Sequence, residues 1–316
     1  MKNISQWIKA NEETLLKQSR SFAIPILNLD DRFRLPIMVE YNLNKTIDTI
    51  EDSPGIEYDE KIALIREFCE YLDKNEVSGN VRKRMLDATA HDEAYVFKNY
   101  EHMINLFNCL QDEETALMKK WTNKMAEGMC IFLKRPIYTQ DDLNQYCYYV
   151  AGTVGIFLTN ILKLKGSNIT KENFRILEGS AVYFGLFLQK LNIIRDYIED
   201  RDVKKRCFWP QKYLETEKDQ IDVLNRLCDE TSKNDVPRAI DYYCHIPPGN
   251  DSYDYFIRFI LSSGLEYLKI LKNNKSVFSR IKVKLPAVFI KTLFKKVSSQ
   301  SRVEFRDYCN RFLAEP

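Results

Sequence analysis

Asp48, Glu51 and Asp52 fall within the run Asp48-Thr49-Ile50-Glu51-Asp52, and the pattern recurs almost unchanged as Asp196-Tyr197-Ile198-Glu199-Asp200. In an α-helix residues i and i+4 stack on one face, so Asp48 and Asp52 project together, as do Asn192, Asp196 and Asp200. Like charges at that spacing destabilise a helix by a few tenths of a kcal/mol, and carboxylates near a C-terminus also oppose the macrodipole. A cation relieves both. Ligands that are all oxygen suit a hard cation, and Mg²⁺ takes only one or two carboxylates, completing its shell with water and phosphate oxygens. Taken singly, such a run is the solvated polar end of a helix. Two copies, each with a basic neighbour (Lys45 before the first, Arg195 before the second), point to a diphosphate held through metal between two clusters that face each other across a cavity.

The elements that carry these runs are helices. The first cluster lies at a helix C-terminus before the Asp52-Ser53-Pro54-Gly55 break, and the second follows the apolar segment Gly185-Leu186-Phe187-Leu188. Further breaks are expected at Ser78-Gly79-Asn80, Lys165-Gly166-Ser167-Asn168, Pro247-Pro248-Gly249-Asn250 and Lys284-Leu285-Pro286. With only 10 Gly and 10 Pro in 316 residues, and Leu, Ile, Phe, Lys and Glu at helical spacing between them, the chain reads as all-α. Neither an internal repeat nor a Pro- or Gly/Ser-rich linker divides it, so one domain over residues 1–316 is expected.

Composition narrows the function. A net charge of +2, from 47 basic and 45 acidic residues, excludes a nucleic-acid partner held by bulk electrostatics. The eight cysteines are scattered without a CxxC pair, and His91, His102 and His245 have no ligand spacing, which fits a reducing compartment rather than a zinc site or disulfide scaffold. Cys147 has no motif that supplies a base, so it reads as a small core residue. Residues 1–10 contain Lys2, Gln6 and Lys9 and no apolar h-region, so no secretory signal is expected. The apolar stretch Tyr149 to Leu162 is shorter than the roughly 20 residues that span a bilayer, so no transmembrane helix is expected either.

Several blocks resemble the squalene synthases, within the squalene and phytoene synthase group. They are Ser19-Arg20-Ser21-Phe22-Ala23, the first acidic run, Tyr146-Cys147-Tyr148-Tyr149-Val150-Ala151-Gly152-Thr153-Val154-Gly155, and Gly185 through Asp200 to Arg206, Phe208, Trp209, Pro210 and Gln211. The resemblance implies a single-domain isoprenoid synthase helical bundle with a central cavity. It also implies that two farnesyl diphosphates condense head to head to presqualene diphosphate, which NADPH reduces to squalene. By the matching motifs, Asp48, Glu51 and Asp52 would hold Mg²⁺ with Asn192, Asp196 and Asp200, while Arg195 and Arg206 act on the departing diphosphate. Tyr146 falls where the family assists proton removal or steadies the carbocation. Ser19, Arg20, Ser21, Phe22, Tyr41, Lys45 and Gln189 would bind substrate, and ring faces attract cations. Taken alone, Ile281-Lys282-Val283-Lys284 is a solvated basic turn; in the family a similar stretch contacts the nicotinamide cofactor's phosphate, which assigns that role to Lys282 and Lys284. The same resemblance implies a monomer, in the cytoplasm or peripheral on the endoplasmic reticulum, with membrane contact for product release.

The chain departs from that pattern at three places. Lys45 stands where the family has Arg, which loses the bidentate fork. The family's Pro-Gln is absent around Phe256–Leu261, and its Lys-Gly after Lys284 is replaced by Leu285-Pro286. The family commonly continues into a hydrophobic C-terminal anchor, whereas this sequence stops at Pro316. Besides the complete reaction, two alternatives stay open: a transferase that stops at presqualene diphosphate or dehydrosqualene, and a non-catalytic helical protein acting in assembly.

Overall fold

The structure, a computed structural model, describes residues 2–19, 22–88 and 94–314. The described residues form helices and no strand. Their contacts gather into two compact units, residues 1–135 with 160–165 and residues 136–159 with 166–316.

The first unit contains α1 (Lys2–Gln18), α2 (Ala23–Leu27), α3 (Asp31–Asp52), α4 (Tyr58–Asp73), α5 (Gly79–Ala88), α6 (Tyr95–Lys98), α7 (Tyr100–Phe107) and α8 (Asp112–Phe132). Its core is built from Phe33, Phe68, Phe97, Tyr100 and Phe107, all fully buried. Burying each such ring stabilises by about 1.5–3 kcal/mol, and this apolar packing holds α3 in place. The lower turns of α3 face this core through Phe33, Ile37, Leu43, Ile47 and Ile50, so the acidic end of the helix is positioned by its own apolar stripe.

The second unit begins with α9 (Gln140–Cys147), continues through a π-type turn over Tyr148–Gly152 and enters α10 (Thr153–Lys165). There follow α11 (Lys171–Arg195), α12 (Tyr197–Asp202), α13 (Gln211–Thr216), α14 (Gln220–Asn234), α15 (Val236–Cys244) and α16 (Asp251–Leu271). After a 3₁₀ turn at Lys275–Phe278 the chain closes with α17 (Ala287–Ser299) and α18 (Arg302–Ala314). Thr170 starts α11 as a side-chain cap, its hydroxyl accepting from Asn173 N at 3.1 Å. Glycine lets this helix approach the π turn closely. A Cβ on Gly185 would fall 2.2 Å from the Ala151 carbonyl oxygen, and one on Gly155 would fall 2.1 Å from that of Ala181.

Each expected break coincides with a helix boundary. One expectation changes: α9, the π turn and α10 form a continuous helical run of 26 residues, Gln140–Lys165, whose apolar 18-residue window has a mean hydropathy of 1.3, long and apolar enough to cross a membrane by length and composition. Tyr149–Leu162 alone understates it because Cys147 before it and Leu164 beyond it, in the same helical run, lengthen the apolar segment. Of its apolar window, 56% is buried inside the protein, as for a core helix.

Candidate active site

In the first unit, α3 remains helical through Asp52, so Asp48 and Asp52 do share a face. Lys45, one turn before Asp48, donates from Nζ to Asp48 Oδ2. Burial works against the Lys45 charge, but the adjacent Asp48 carboxylate outweighs it and raises the ammonium pKa. Glu51 is 1% exposed, and its backbone carbonyl accepts from the buried Lys61 Nζ at 2.6 Å. That ammonium serves the C-terminal carbonyls of α3, where a cation also complements the helix dipole. Lys61 was not legible as a partner, because it lies on α4 beyond the Ser-Pro-Gly turn.

One turn before Lys45, the Tyr41 ring lies 6.2 Å from that of Phe22. Burial raises the Tyr41 hydroxyl pKa, while Lys45 and a hydrogen bond with Ser19 pull it back. Ser19 is buried, and its Oγ accepts from Phe22 N at 3.0 Å, which brings the ends of this Ser19–Phe22 segment together beside Tyr41. Arg20 and Ser21, like His91, lie outside the described residues.

The second cluster sits differently from an uninterrupted helix face. α11 ends at Arg195, and Asp196 adopts φ −97°, ψ 14° before α12 resumes. The i→i+4 backbone bonds nevertheless continue across this residue, with Asp196 N to Asn192 O at 2.8 Å and Asp200 N to Asp196 O at 2.9 Å. The register of Asn192, Asp196 and Asp200 therefore survives the departure from helical dihedrals. Asn192 Nδ2 reaches Gln189 Oε1 at 3.5 Å.

Cations surround these carboxylates. Arg195 grips Asp196 with both fork nitrogens, at 2.9 and 2.6 Å, and its guanidinium lies 5.5 Å from the Tyr267 ring. Lys282 Nζ is 3.0 Å from Asp196 Oδ1 and 2.9 Å from Glu199 Oε2. Burial pushes the Asp196 carboxyl upward, but Arg195 and then Lys282 outweigh it and hold it below the ordinary value. Asp200 behaves oppositely. Burial pushes its pKa up to about 6, against the partial relief supplied by Lys204. Lys204 Nζ lies 3.0 Å from Asp200 Oδ1. A buried carboxylate that burial penalises, inside an acidic cluster, fits an oxygen-seeking cation.

Beyond α12 the chain turns back at Lys205, whose φ of 57° is left-handed. Arg206 N then bonds Asp200 O at 2.8 Å, and its guanidinium lies 4.5 Å from the Phe208 ring and 5.9 Å from that of Tyr146. Tyr146 and Phe208 stack at 4.7 Å. Trp209 anchors this return, fully buried, with Nε1 donating to Ile193 O at 3.2 Å and its ring 4.1 Å from Tyr197. Tyr146, Arg206 and the Asp200 backbone are thereby joined. Cys147 is buried in the same unit and its thiol is pushed up to about 12 by burial, which suits core packing rather than nucleophilic attack.

The structure thus brings Lys282 onto the second cluster and leaves Lys284 exposed, with no side-chain ion pair among the described residues. Among the described residues, no three His, Cys, Asp or Glu side chains converge closely enough to hold a metal by themselves. Asp48, Asp196 and Asp200 instead face lysine and arginine, the expected arrangement for carboxylates whose charge must be balanced.

The model of the squalene/phytoene synthase family matches residues 15–286. A squalene synthase of Dictyostelium discoideum is 35% identical over 201 residues, 63% of this chain and 46% of the relative. Squalene synthase of Rattus norvegicus is 29% identical over 293 residues, 88% of this chain and 67% of the relative. Apart from that longer match, the chain spans about half the length of the curated relatives it matches. Among solved structures, TcSQS in complex with the ligand BPH1237 superposes with a TM-score of 0.84 at 27% identity, covering 98% of this chain and 92% of that one. A dehydrosqualene synthase, at 20% identity and a TM-score of 0.64, shares the fold.

Proposed function

We propose, because the chain belongs to the squalene/phytoene synthase family, that it condenses two farnesyl diphosphates head to head and reduces the presqualene diphosphate to squalene. The chain has the all-α isoprenoid synthase fold. The observation that carries the reading is the end of α11. There Asp196 and the buried Asp200 lie among Arg195, Lys204 and Lys282, a set of groups able to exchange partners with a metal-bound diphosphate.

Mg²⁺ would be held by Asp48, Glu51 and Asp52 in the first unit and by Asn192, Asp196 and Asp200 in the second, and would neutralise the charge of the departing diphosphate. The protein's own groups do the remainder. Arg195 and Arg206 present guanidinium forks to phosphate oxygens, and Lys45 offers one ammonium where the family has a fork. Ionisation leaves an allylic carbocation. Tyr146 and Phe208 form a stacked aromatic wall that steadies such a cation without offering a strong nucleophile. The Tyr146 hydroxyl assists proton removal in the first half-reaction. Tyr41, Phe22 and Ser19 bind the prenyl chain and its diphosphate end together with Arg20, Ser21 and Gln189. Lys282 and Lys284 receive the NADPH phosphate, and for Lys282 this requires release from Asp196 and Glu199. The protein acts as a monomer peripheral to a membrane.

The test is incubation with farnesyl diphosphate and Mg²⁺, with and without NADPH, followed by product identification. Squalene that forms only with NADPH is the expected result. Identical products with and without NADPH would replace the reductive reading by a transferase that stops at presqualene diphosphate or dehydrosqualene. No diphosphate release at all would refute both.

A further inference from the structure

The stretch from Tyr267 to Val303 carries Lys or Arg at ten positions and Asp or Glu at none, within a chain whose overall charge is only +2. Part of this charge is spent inside the second unit. Lys272 pairs with Asp229, Lys282 with Asp196 and Glu199, and Arg302 with Asp254. Lys284, Lys291 and Lys295 are exposed, and their side chains make no ion pair or hydrogen bond among the described residues.

The same stretch also exposes apolar surface. Ile281 is 80%, Val288 76% and Val303 68% exposed, the three most exposed large apolar side chains among the described residues. On α17 the inward side is occupied by Leu293 and Val297, both buried, and by Phe294, whose ring meets Tyr255 at 5.5 Å and Phe259 at 6.0 Å. Val288, Lys291 and Lys295 follow at i, i+3 and i+7, so they share the outward face. Ile281 and Lys284 lie on the segment that leads into it. Solvent-facing β-branched residues among unpaired lysines gain nothing from water.

From this juxtaposition we propose that the outward face of α17, with the Ile281–Lys284 segment, docks on an anionic phospholipid surface. The lysines meet the lipid headgroups while Ile281 and Val288 enter the acyl boundary. A second copy of the chain is disfavoured as the occupant, because a two-fold contact would set the unpaired lysines of this stretch against one another. Nucleic acid is disfavoured because the exposed apolar groups are aliphatic, with no aromatic ring on which a base could stack. The inference gives the proposed membrane contact a surface, and it rests on charge and exposure rather than on the reaction.

The experiment measures co-sedimentation of the full chain, without substrate, with phosphatidylcholine vesicles that contain about 30% phosphatidylserine, against phosphatidylcholine alone. Binding to the anionic vesicles that falls with added salt is expected. Each lysine near such a surface changes affinity roughly five-fold, so Lys284→Gln, Lys291→Gln and Lys295→Gln together should weaken binding about 100-fold. Ile281→Ser with Val288→Ser should remove the part of the binding that persists at high salt. All five positions are exposed, and unchanged circular dichroism and melting of the variants exclude a folding defect. Equal binding to both vesicle types, affinity unchanged in the triple lysine variant, or no binding would overturn the proposal. Tighter binding to duplex DNA than to the vesicles, or loss of the vesicle signal into self-association, would overturn it in favour of the other occupants. Since no substrate is present, failure here leaves the product assay unaffected.

Discussion

Glu40 offers the most quantitative test of how the first acidic helix is supported. It lies two turns before Asp48 on α3, is 2% exposed, and meets Asn44 Nδ2 at 3.2 Å and Thr122 Oγ1 at 3.3 Å. Thr122 Oγ1 is also 3.4 Å from Asn44 Oδ1. A hydroxyl has one proton, so Thr122 cannot donate to both oxygens. The ring closes when Glu40 is the neutral acid: Oε2 donates to Thr122, Thr122 donates to Asn44, and Asn44 donates back to Oε1. Burial pushes the Glu40 pKa up to about 8, against smaller opposing effects of Asn44 and Thr122. Its folded value therefore exceeds its unfolded value of 4.5. Between the two the folded chain binds the extra proton, so this contribution is complete below the unfolded value and is lost as pH rises through the folded one. The slope is about 1.4 kcal/mol per pH unit, so from about pH 6 to about pH 8 the wild type should lose roughly 2–3 kcal/mol through this one group. Glu40→Gln keeps the shape, one acceptor and a donor but cannot titrate. Urea unfolding across that range should show the wild type falling toward the variant or below it, with the difference changing by roughly 2–3 kcal/mol. Parallel stability profiles for the two proteins would refute the neutral-acid assignment.

Asp196→Asn should retain the fold and lower turnover of farnesyl diphosphate by about 100-fold or more, since it weakens a ligand oxygen where several kcal/mol of charge stabilisation is needed; unaltered turnover would remove Asp196 from the site. Tyr146→Phe preserves the stack on Phe208 and deletes only the hydroxyl, so formation of presqualene diphosphate should slow by ~10²–10⁴. An unchanged rate would leave Tyr146 a packing role. Replacing both Lys282 and Lys284 with Ala should raise KM for NADPH about 10-fold or more while sparing the first half-reaction, because a charge-assisted contact contributes ~1.5–3 kcal/mol. An equal loss in both half-reactions would instead assign Lys282 to the balancing of Asp196.

Spacing along the chain was enough to place Asp48 and Asp52 on one helix face, to keep Asn192, Asp196 and Asp200 in register, and to mark the turns at Ser53-Pro54-Gly55 and Pro247-Pro248-Gly249. Those features depend on local hydrogen bonding and on backbone preferences, which each residue carries with it. The motif glycines were equally visible, although their reason was not: Gly155 and Gly185 are required because carbonyls of Ala181 and Ala151 lie where a Cβ would go. What a charged group does with its charge was decided only in three dimensions. Lys282 reaches Glu199 across 83 positions, and Thr122 reaches Glu40 across 82. The helix break at Asp196 was hidden for a related reason, since the backbone bonds that preserve its register allow a departure from helical dihedrals that no residue in the run announces. Residue type determines that a buried carboxyl needs a partner or a proton; which of these it receives depends on the helices packed against it.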